Sequence, residues 1–162
     1  MYTLCTDINN KKFKVKSKNL IFRPSVYGVI IKNGKIFLAN QWDGYDYPGG
    51  AVELGERLKK ALKREVFEES SVKIKIKELL YCKDCFFKLK YGQNKFVHSI
   101  LIYYLCEMIG GKPGSQNLAD YEKDYMGEPK WFDIDKIEKI KFYNSIDNFK
   151  LIQKAKAALK KS

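Results

Sequence analysis

The chain is short of histidine, cysteine, proline and acid: one histidine, four cysteines, four prolines, and 19 Asp and Glu against 31 Lys and Arg in 162 residues. These shortages exclude several readings. Cys82 and Cys85 form a lone C-x-x-C with no second pair, and His98 sits in an apolar run, so no zinc cage is expected and the cysteines read as small hydrophobes in or beside strands. Without a secretory signal, their even number does not imply disulfides. No Pro, Gly or Ser-rich stretch is long enough to be a linker, so residues 1–162 read as one domain. The longest apolar runs, such as 100–105, fall far short of the roughly 20 residues that span a bilayer. The first residues lack the basic start and apolar stretch of a signal peptide, so a cytoplasmic address with no membrane association is expected.

Against these absences stand 45% hydrophobic and 14% aromatic residues, enough for an ordered core, and a formal charge of +12 that steers anions toward the surface. Lysines occur throughout, from Lys11-Lys12 through Lys73, Lys75 and Lys77 to Lys160-Lys161, which reads as a solvated lysine surface and not as one basic groove.

Alternation in 12–16 and 72–76 suits half-exposed strands, and the β-branched and aromatic run of 95–107 suits a longer one. The apolar runs 26–31 and 36–38 flank Asn33-Gly34, the signature of a type I′ hairpin. Residues 42–50 are dense in turn formers and read as a functional loop, and 110–115 read as a loop. From Glu56 to Ser70 there is no Gly or Pro, and Leu58, Ala61, Leu62 and Val66 recur at helical spacing. Residues 130–132 suit a short strand, 133–135 a helix start, and Ile146, Phe149, Ile152 and Leu159 give a terminal helix its apolar stripe. Hairpin-linked strands followed by a helix entered from a glycine loop point to an α+β fold with a mixed β-sheet.

On the helix, Glu65 and Glu69 fall on the stripe of Leu58 and Leu62, and Glu68 lies along its edge. Carboxylates on a buried face require a positive partner. Arg64 covers part of that charge, and a divalent cation is the natural remainder. With no His or Cys in the cluster, hard oxygen ligands favour Mg2+, with Mn2+ as a substitute. By helical position alone, a solvated helix of mixed charge accounts for the same residues.

The spacing removes that balance. From Gly50, five residues lead to Glu56, seven more to Arg64, and Arg64-Glu65-Val66-Phe67-Glu68-Glu69 follows without a gap. This resembles the box of the Nudix hydrolases, Gx5Ex7REUxEExGU, over Gly50 to Val72, and Tyr47-Pro48-Gly49-Gly50 resembles the segment that leads into it. Ser71 stands where the family has its second glycine, which leaves the end of the helix open.

The resemblance implies an α/β/α sandwich with a loop-helix-loop catalytic motif, and Mg2+-dependent hydrolysis of a diphosphate linkage in a nucleoside triphosphate or other nucleoside diphosphate derivative. It implies Glu65, Glu68, Glu69 and the Gly49 carbonyl as metal ligands, Glu65 or Glu68 as a group that helps deprotonate water, Arg64 as the residue that orients a catalytic glutamate, and Gly50 and Glu56 as structural. A further carboxylate from a later loop is expected among Glu122, Asp124 and Glu128. Candidates for substrate contact are Arg23 for phosphate and Trp42, Tyr45, Tyr47, Phe86, Phe87 and Tyr91 for a base. Two alternatives stand beside this reading: an RNA 5′-end pyrophosphohydrolase, and a catalytically silent domain that binds nucleotide or RNA. Oligomeric state is not legible.

Overall fold

The computed structural model describes residues 1–89 and 95–161; Tyr91 lies outside the described residues. The strands are β1 (Tyr2–Thr6), β2 (Lys12–Lys16), β3 (Leu20–Phe22), β4 (Ser25–Lys32), β5 (Lys35–Gln41), β6 (Gly44–Asp46), β7 (Gly49–Ala51), β8 (Val72–Lys88), β9 (Phe96–Gly111) and β10 (Met126–Asp133). The helices are α1 (Leu58–Ser70) and α2 (Asn148–Leu159), with 3-10 turns at Ser17–Asn19 and Ile134–Lys139. The strands join in one sheet of order β10-β5-β4-β9-β8-β1-β2, with β3 on β9, β6 on β5 and β7 on β4. Parallel β4–β9 beside antiparallel β4–β5 and β8–β9 makes the sheet mixed.

Period-two alternation sends the β4 side chains to two different cores. Val26 and Ile30, with Phe37 of β5, pack on Ala61, Leu62 and Val66 of α1. Val29, with Ile36 and Leu38, packs on Leu151, Ile152, Ala155 and Ala158 of α2. The sheet is therefore covered by a helix on each face, an α/β/α sandwich. Truncating the fully buried Leu62 to alanine should cost about 2–5 kcal/mol. The β4–β5 turn has Asn33 at φ 51° and Gly34 at φ 71°, the pair of left-handed residues that a type I′ turn needs. Among the described residues no helix is long and apolar enough to cross a membrane.

Several segments differ from the sequence reading. Residues 42–50 are not all loop: β6 and β7 are three-residue strands, too short for alternation to register. Strand β8 runs on to Lys88, and shifts in its register on β9 between Lys73 and Tyr81 break the alternation that would have revealed it. Strand β9 continues through Gly111, so the loop after it begins at residue 112. The buried stripe of α2 is Leu151, Ile152, Ala155 and Ala158; Phe149 and Leu159, given to the stripe by spacing, are exposed. On α1, Leu58 lies at the exposed rim and the buried set is Ala61, Leu62, Val66, Glu69 and Ser70. Cys82 and Cys85 lie three apart on β8 and so point to opposite faces of the sheet.

Candidate active site

The site grows from the contact between β7 and the carboxylate face of α1. Gly49 has φ 151°, and a Cβ there would meet the Val26 carbonyl and lie 2.7 Å from Tyr27 Cα, so only glycine lets β7 pair this closely with β4. The Gly49 N–H donates to Glu69 Oε2 at 2.8 Å. A Cβ on Gly50 would meet the Glu65 carboxylate, lying 2.7 Å from its Cδ. The two glycines thus bring backbone against two carboxylates of the helix.

Arg64 organises the rest. Its Nε and Nη2 donate to the two oxygens of Glu56 at 3.1 and 2.8 Å, and Nη2 also donates to the Ala51 carbonyl at 3.1 Å. Nη1 donates to Glu65 Oε1 at 2.8 Å and to Glu68 Oε2 at 3.1 Å. One guanidinium therefore fastens the loop that enters α1 and fixes two of the three carboxylates, a use of its planar fork that lysine could not match. The hydrogen bonds from Arg64 hold Glu56 below the usual carboxylate range.

The cluster carries more negative charge than Arg64 offsets. Burial pushes the Glu65 pKa up against the pull of Arg64. Glu69, only 5% exposed, is pushed well above its ordinary value by burial, with Glu65, Glu122 and Asp46 adding to the rise and the Gly49 N–H opposing it. Glu65, Glu68 and Glu69 each have one oxygen on an N–H, and the other oxygen has no protein donor among the described residues. That donor set, hard, anionic and partly desolvated, fits a divalent cation of the magnesium type. Among the described residues, no three acidic, His or Cys side chains converge tightly enough to hold an ion, and Arg64 is hydrogen-bonded to both Glu65 and Glu68.

Of the three acids considered outside the box, Glu122 acts electrostatically on both Glu65 and Glu69. Its carboxylate also accepts the Ala119 N–H at 3.0 Å, which holds the turn that carries it. Glu128 is taken by the Ser115 hydroxyl, and the Asp124 side chain makes no hydrogen bond or ion pair among the described residues.

Ser71 settles the end of the helix. It takes the left-handed conformation, φ 59° and ψ 16°, and its N–H reaches the Phe67 carbonyl at 2.8 Å, as a glycine cap would. Its hydroxyl also donates to the Gly114 carbonyl and accepts from Asn117 Nδ2 at 3.0 Å, tying α1 to the segment that leads to Glu122.

The substrate candidates scatter. Tyr47 is fully buried, its ring edge-on to Tyr103 and stacked on Phe142, so it has no face for a base and belongs to the core under α2. Tyr45 packs edge-on against Phe132. Trp42, in a left-handed turn at φ 48°, stacks on Tyr125 at 5.1 Å, which joins it to the segment that carries Glu122. Arg23 lies between β3 and β4, and its buried Nε has no partner among the described residues, while its charge acts on Tyr27, which also feels Glu69. Phe86 and Phe87 lie on β8, paired with His98 and Val97 and not gathered at the box.

Asp46 escaped the sequence reading. It is buried, accepts the Tyr47 N–H and Asn144 Nδ2 at 2.8 Å each, and burial raises its pKa to about 6. In a segment dense in turn residues nothing distinguishes it from a surface aspartate.

Comparison with known proteins places this geometry. A NUDIX domain family model matches residues 22–154. An ADP-ribose pyrophosphatase of Methanocaldococcus jannaschii is 31% identical over 141 residues, which cover 82% of this chain and 75% of that protein. A NUDIX hydrolase structure from Nitrosomonas europaea superposes with a TM-score of 0.64 at 18% identity, covering 85% of this chain and 90% of that one. An ADP-ribose pyrophosphatase structure from Streptococcus suis gives 0.61 at 18%, covering 84% and 91%. At such identities the structures speak for the fold alone.

Proposed function

The chain belongs to the NUDIX family and is a hydrolase of pyrophosphate bonds, and from that premise we propose that it cleaves a nucleoside diphosphate derivative with Mg2+, ADP-ribose first among the candidates. ADP-ribose is put first by the archaeal relative, an ADP-ribose pyrophosphatase 31% identical over 141 residues. The observation that carries the metal reading is Glu69, a carboxylate 5% exposed that has one backbone N–H and no cationic side chain bonded to it.

In this proposal Glu65, Glu68 and Glu69 would hold the ion, with the Gly49 carbonyl and Glu122 as further candidate oxygen ligands. The bound ion supplies charge stabilisation on the phosphoryl oxygens and a lowered pKa for the attacking water. Arg64 positions Glu65 and Glu68, and Glu56 holds Arg64 in place. Glu68, at 43% side-chain exposure the most open of the three, takes the proton of the water. Arg23 pairs with a substrate phosphate, which would give its buried Nε a partner. Water adds to one phosphorus, the bridging oxygen leaves with the other, and ADP-ribose would yield AMP and ribose 5-phosphate.

The test is a panel with and without Mg2+, read by anion-exchange chromatography: ADP-ribose, nucleotide sugars, dinucleotide cofactors, dinucleoside polyphosphates, canonical and oxidised nucleoside triphosphates, and triphosphorylated RNA. AMP and ribose 5-phosphate from ADP-ribose, formed only with the metal, is the expected result. Glu69→Gln should fold and lose at least about 100-fold in kcat. A folded variant at the wild-type rate would sink the assignment of Glu69, and no metal-dependent product from any substrate would sink the reading as a whole.

A further inference from the structure

Away from the box, the strands of the N-terminal hairpin carry a second surface whose parts are scattered in sequence. Two rows of side chains cross one face of the sheet. Phe22 of β3, His98 of β9 and Phe86 of β8 are register partners in one row. The Phe86 ring stacks on His98 at 4.3 Å and 23°, and Phe22 meets His98 edge-on at 5.4 Å. In the next row, Phe96 of β9 pairs with Lys88 of β8.

This face is concave. Phe13 of β2 and Phe96 of β9 have β1 and β8 between them in the sheet. Three strand spacings in a flat sheet would separate them by about 14 Å. Their ring centroids are 5.6 Å apart, so the sheet curls toward the side on which they meet. The short link from β2 to β3 through Ser17–Asn19 demands the same curl, since those strands are four places apart in the sheet. Lys88 Nζ lies 4.8 Å from the Phe13 ring and 6.0 Å from that of Phe96, and Lys11 Nζ lies 5.5 Å from Phe13. The rings stay accessible: Phe22 is 62% exposed and Phe86, Phe96 and His98 are each only partly buried. Beside them at the β2 edge is an open groove of about 720 Å³ lined by Phe13, Lys14, Lys16 and Phe96 among others.

Charge selects the occupant. Residues 1–23 hold Lys11, Lys12, Lys14, Lys16, Lys18 and Arg23 against Asp7 alone. Asp7 is turned into its own loop, accepting the N–H groups of Asn9 and Lys11. Asp84, 4.0 Å from His98, is an acid within the aromatic rows. Flat rings at strand spacing, with lysines at their rim, suit unstacked bases joined by phosphates. An aliphatic partner would find few aliphatic side chains here, and a duplex would keep its base faces covered.

We propose that the concave face of Phe13, Phe22, Phe86, Phe96, His98 and Lys88 binds a single-stranded polynucleotide. Bases stack on the rings, and Lys88 and Lys11, whose ammonium groups lie beside the Phe13 ring, meet the phosphates. Arg23 follows Phe22 directly, and the Pro24 carbonyl accepts the Val52 N–H at 2.9 Å, so the face opens beside the loop of the box.

The test is fluorescence anisotropy without metal, using a labelled unstructured 12-nucleotide RNA, the same sequence as DNA, and its duplex, with inorganic polyphosphate as competitor. Single strands should bind, RNA against DNA showing which sugar is preferred, and the duplex should bind at least about tenfold more weakly. Phe22→Ala and Phe86→Ala should each weaken binding roughly tenfold with the salt slope unchanged, and Phe86→Trp should restore it. Lys88→Gln should lower the slope of log K against log salt by about 1. Ring variants that bind as the wild type would overturn the proposal. So would polyphosphate competing as well as RNA per phosphate, or light scattering showing this face closed in a dimer. Hydrolysis of the small nucleotide, unchanged in Phe22→Ala, is read separately, so failure of the catalytic reading leaves the binding result standing.

Discussion

Gly49 and Gly50 are adjacent, yet they are needed for different reasons. A side chain at position 49 would meet the β4 backbone at a φ of 151°, which nothing nearby can relieve. One at position 50 would meet only the Glu65 carboxylate, the far end of a side chain that Arg64 holds. Gly49→Ala should therefore lose about 3 kcal/mol or more in denaturant unfolding, whereas Gly50→Ala should stay folded and lose at least about tenfold in kcat. Equal stability of the two would contradict this division. Asp46 gives a pH dependence. Burial raises its pKa from 3.8 to about 6, so its neutral form is favoured on folding. Its contribution to stability is complete below about pH 4 and is lost as pH rises through about 6. Asp46→Asn keeps an acceptor oxygen for Tyr47 N–H and Asn144, so above pH 6 it should be up to about 3 kcal/mol more stable than the wild type and near pH 4 no more stable. Urea melts at pH 4, 6 and 8 measure the gap, and a gap independent of pH would refute its origin in Asp46. At this scale the box was legible because spacing alone carries it: Arg64 bridging Glu56 to Glu65 is a contact across eight residues of one local motif. Asp46, Glu122 and the burial of Tyr47 were not legible, because they depend on which distant strand or turn comes to rest on them.

The elements followed the same division between local and distant causes. The β4–β5 hairpin and α1 were readable, one from Asn33-Gly34 and the other from an unbroken helical stripe. β6 and β7 were not, since a three-residue strand exists only through its partner. The stripe of α2 was read from its large residues, of which Ile152 is buried beside Leu151 while Phe149 and Leu159 are exposed, and the sheet also receives the small Ala155 and Ala158. The end of α1 supplies a test. Ser71 in the left-handed region bears a strain of about 1 kcal/mol, and its hydroxyl makes two hydrogen bonds to the 114–117 segment, each worth about 1 kcal/mol. Ser71→Gly relieves the strain while losing the bonds, so its net effect should stay within about 1 kcal/mol. Ser71→Ala keeps the strain, loses both bonds and leaves Asn117 short of an acceptor, so it should cost about 2 kcal/mol. In both variants amide exchange should quicken at residues 114–118. An alanine variant as stable as the glycine one would show that the hydroxyl contributes nothing.

At the scale of the molecule, a lysine distribution that looked uniform along the chain becomes uneven once β1 pairs with both β2 and β8. The sheet ends on β2, whose sequence is Lys12-Phe13-Lys14-Val15-Lys16. Alternation turns Val15 inward and leaves all three lysines exposed. An outermost strand offers unpaired N–H and C=O groups to any other strand, and lysines along it oppose such pairing by repulsion and by the cost of desolvating them. Replacing Lys12, Lys14 and Lys16 together by threonine keeps β propensity and polarity while removing three charges from the edge. Circular dichroism should show the fold retained. Light scattering across a concentration series should show the variant associating to masses above those of the wild type, starting from a chain of 18.9 kDa, with high salt reducing the difference by screening the wild-type lysines. Identical mass distributions at every concentration would mean that the edge is protected by the curl of the sheet and not by its charge.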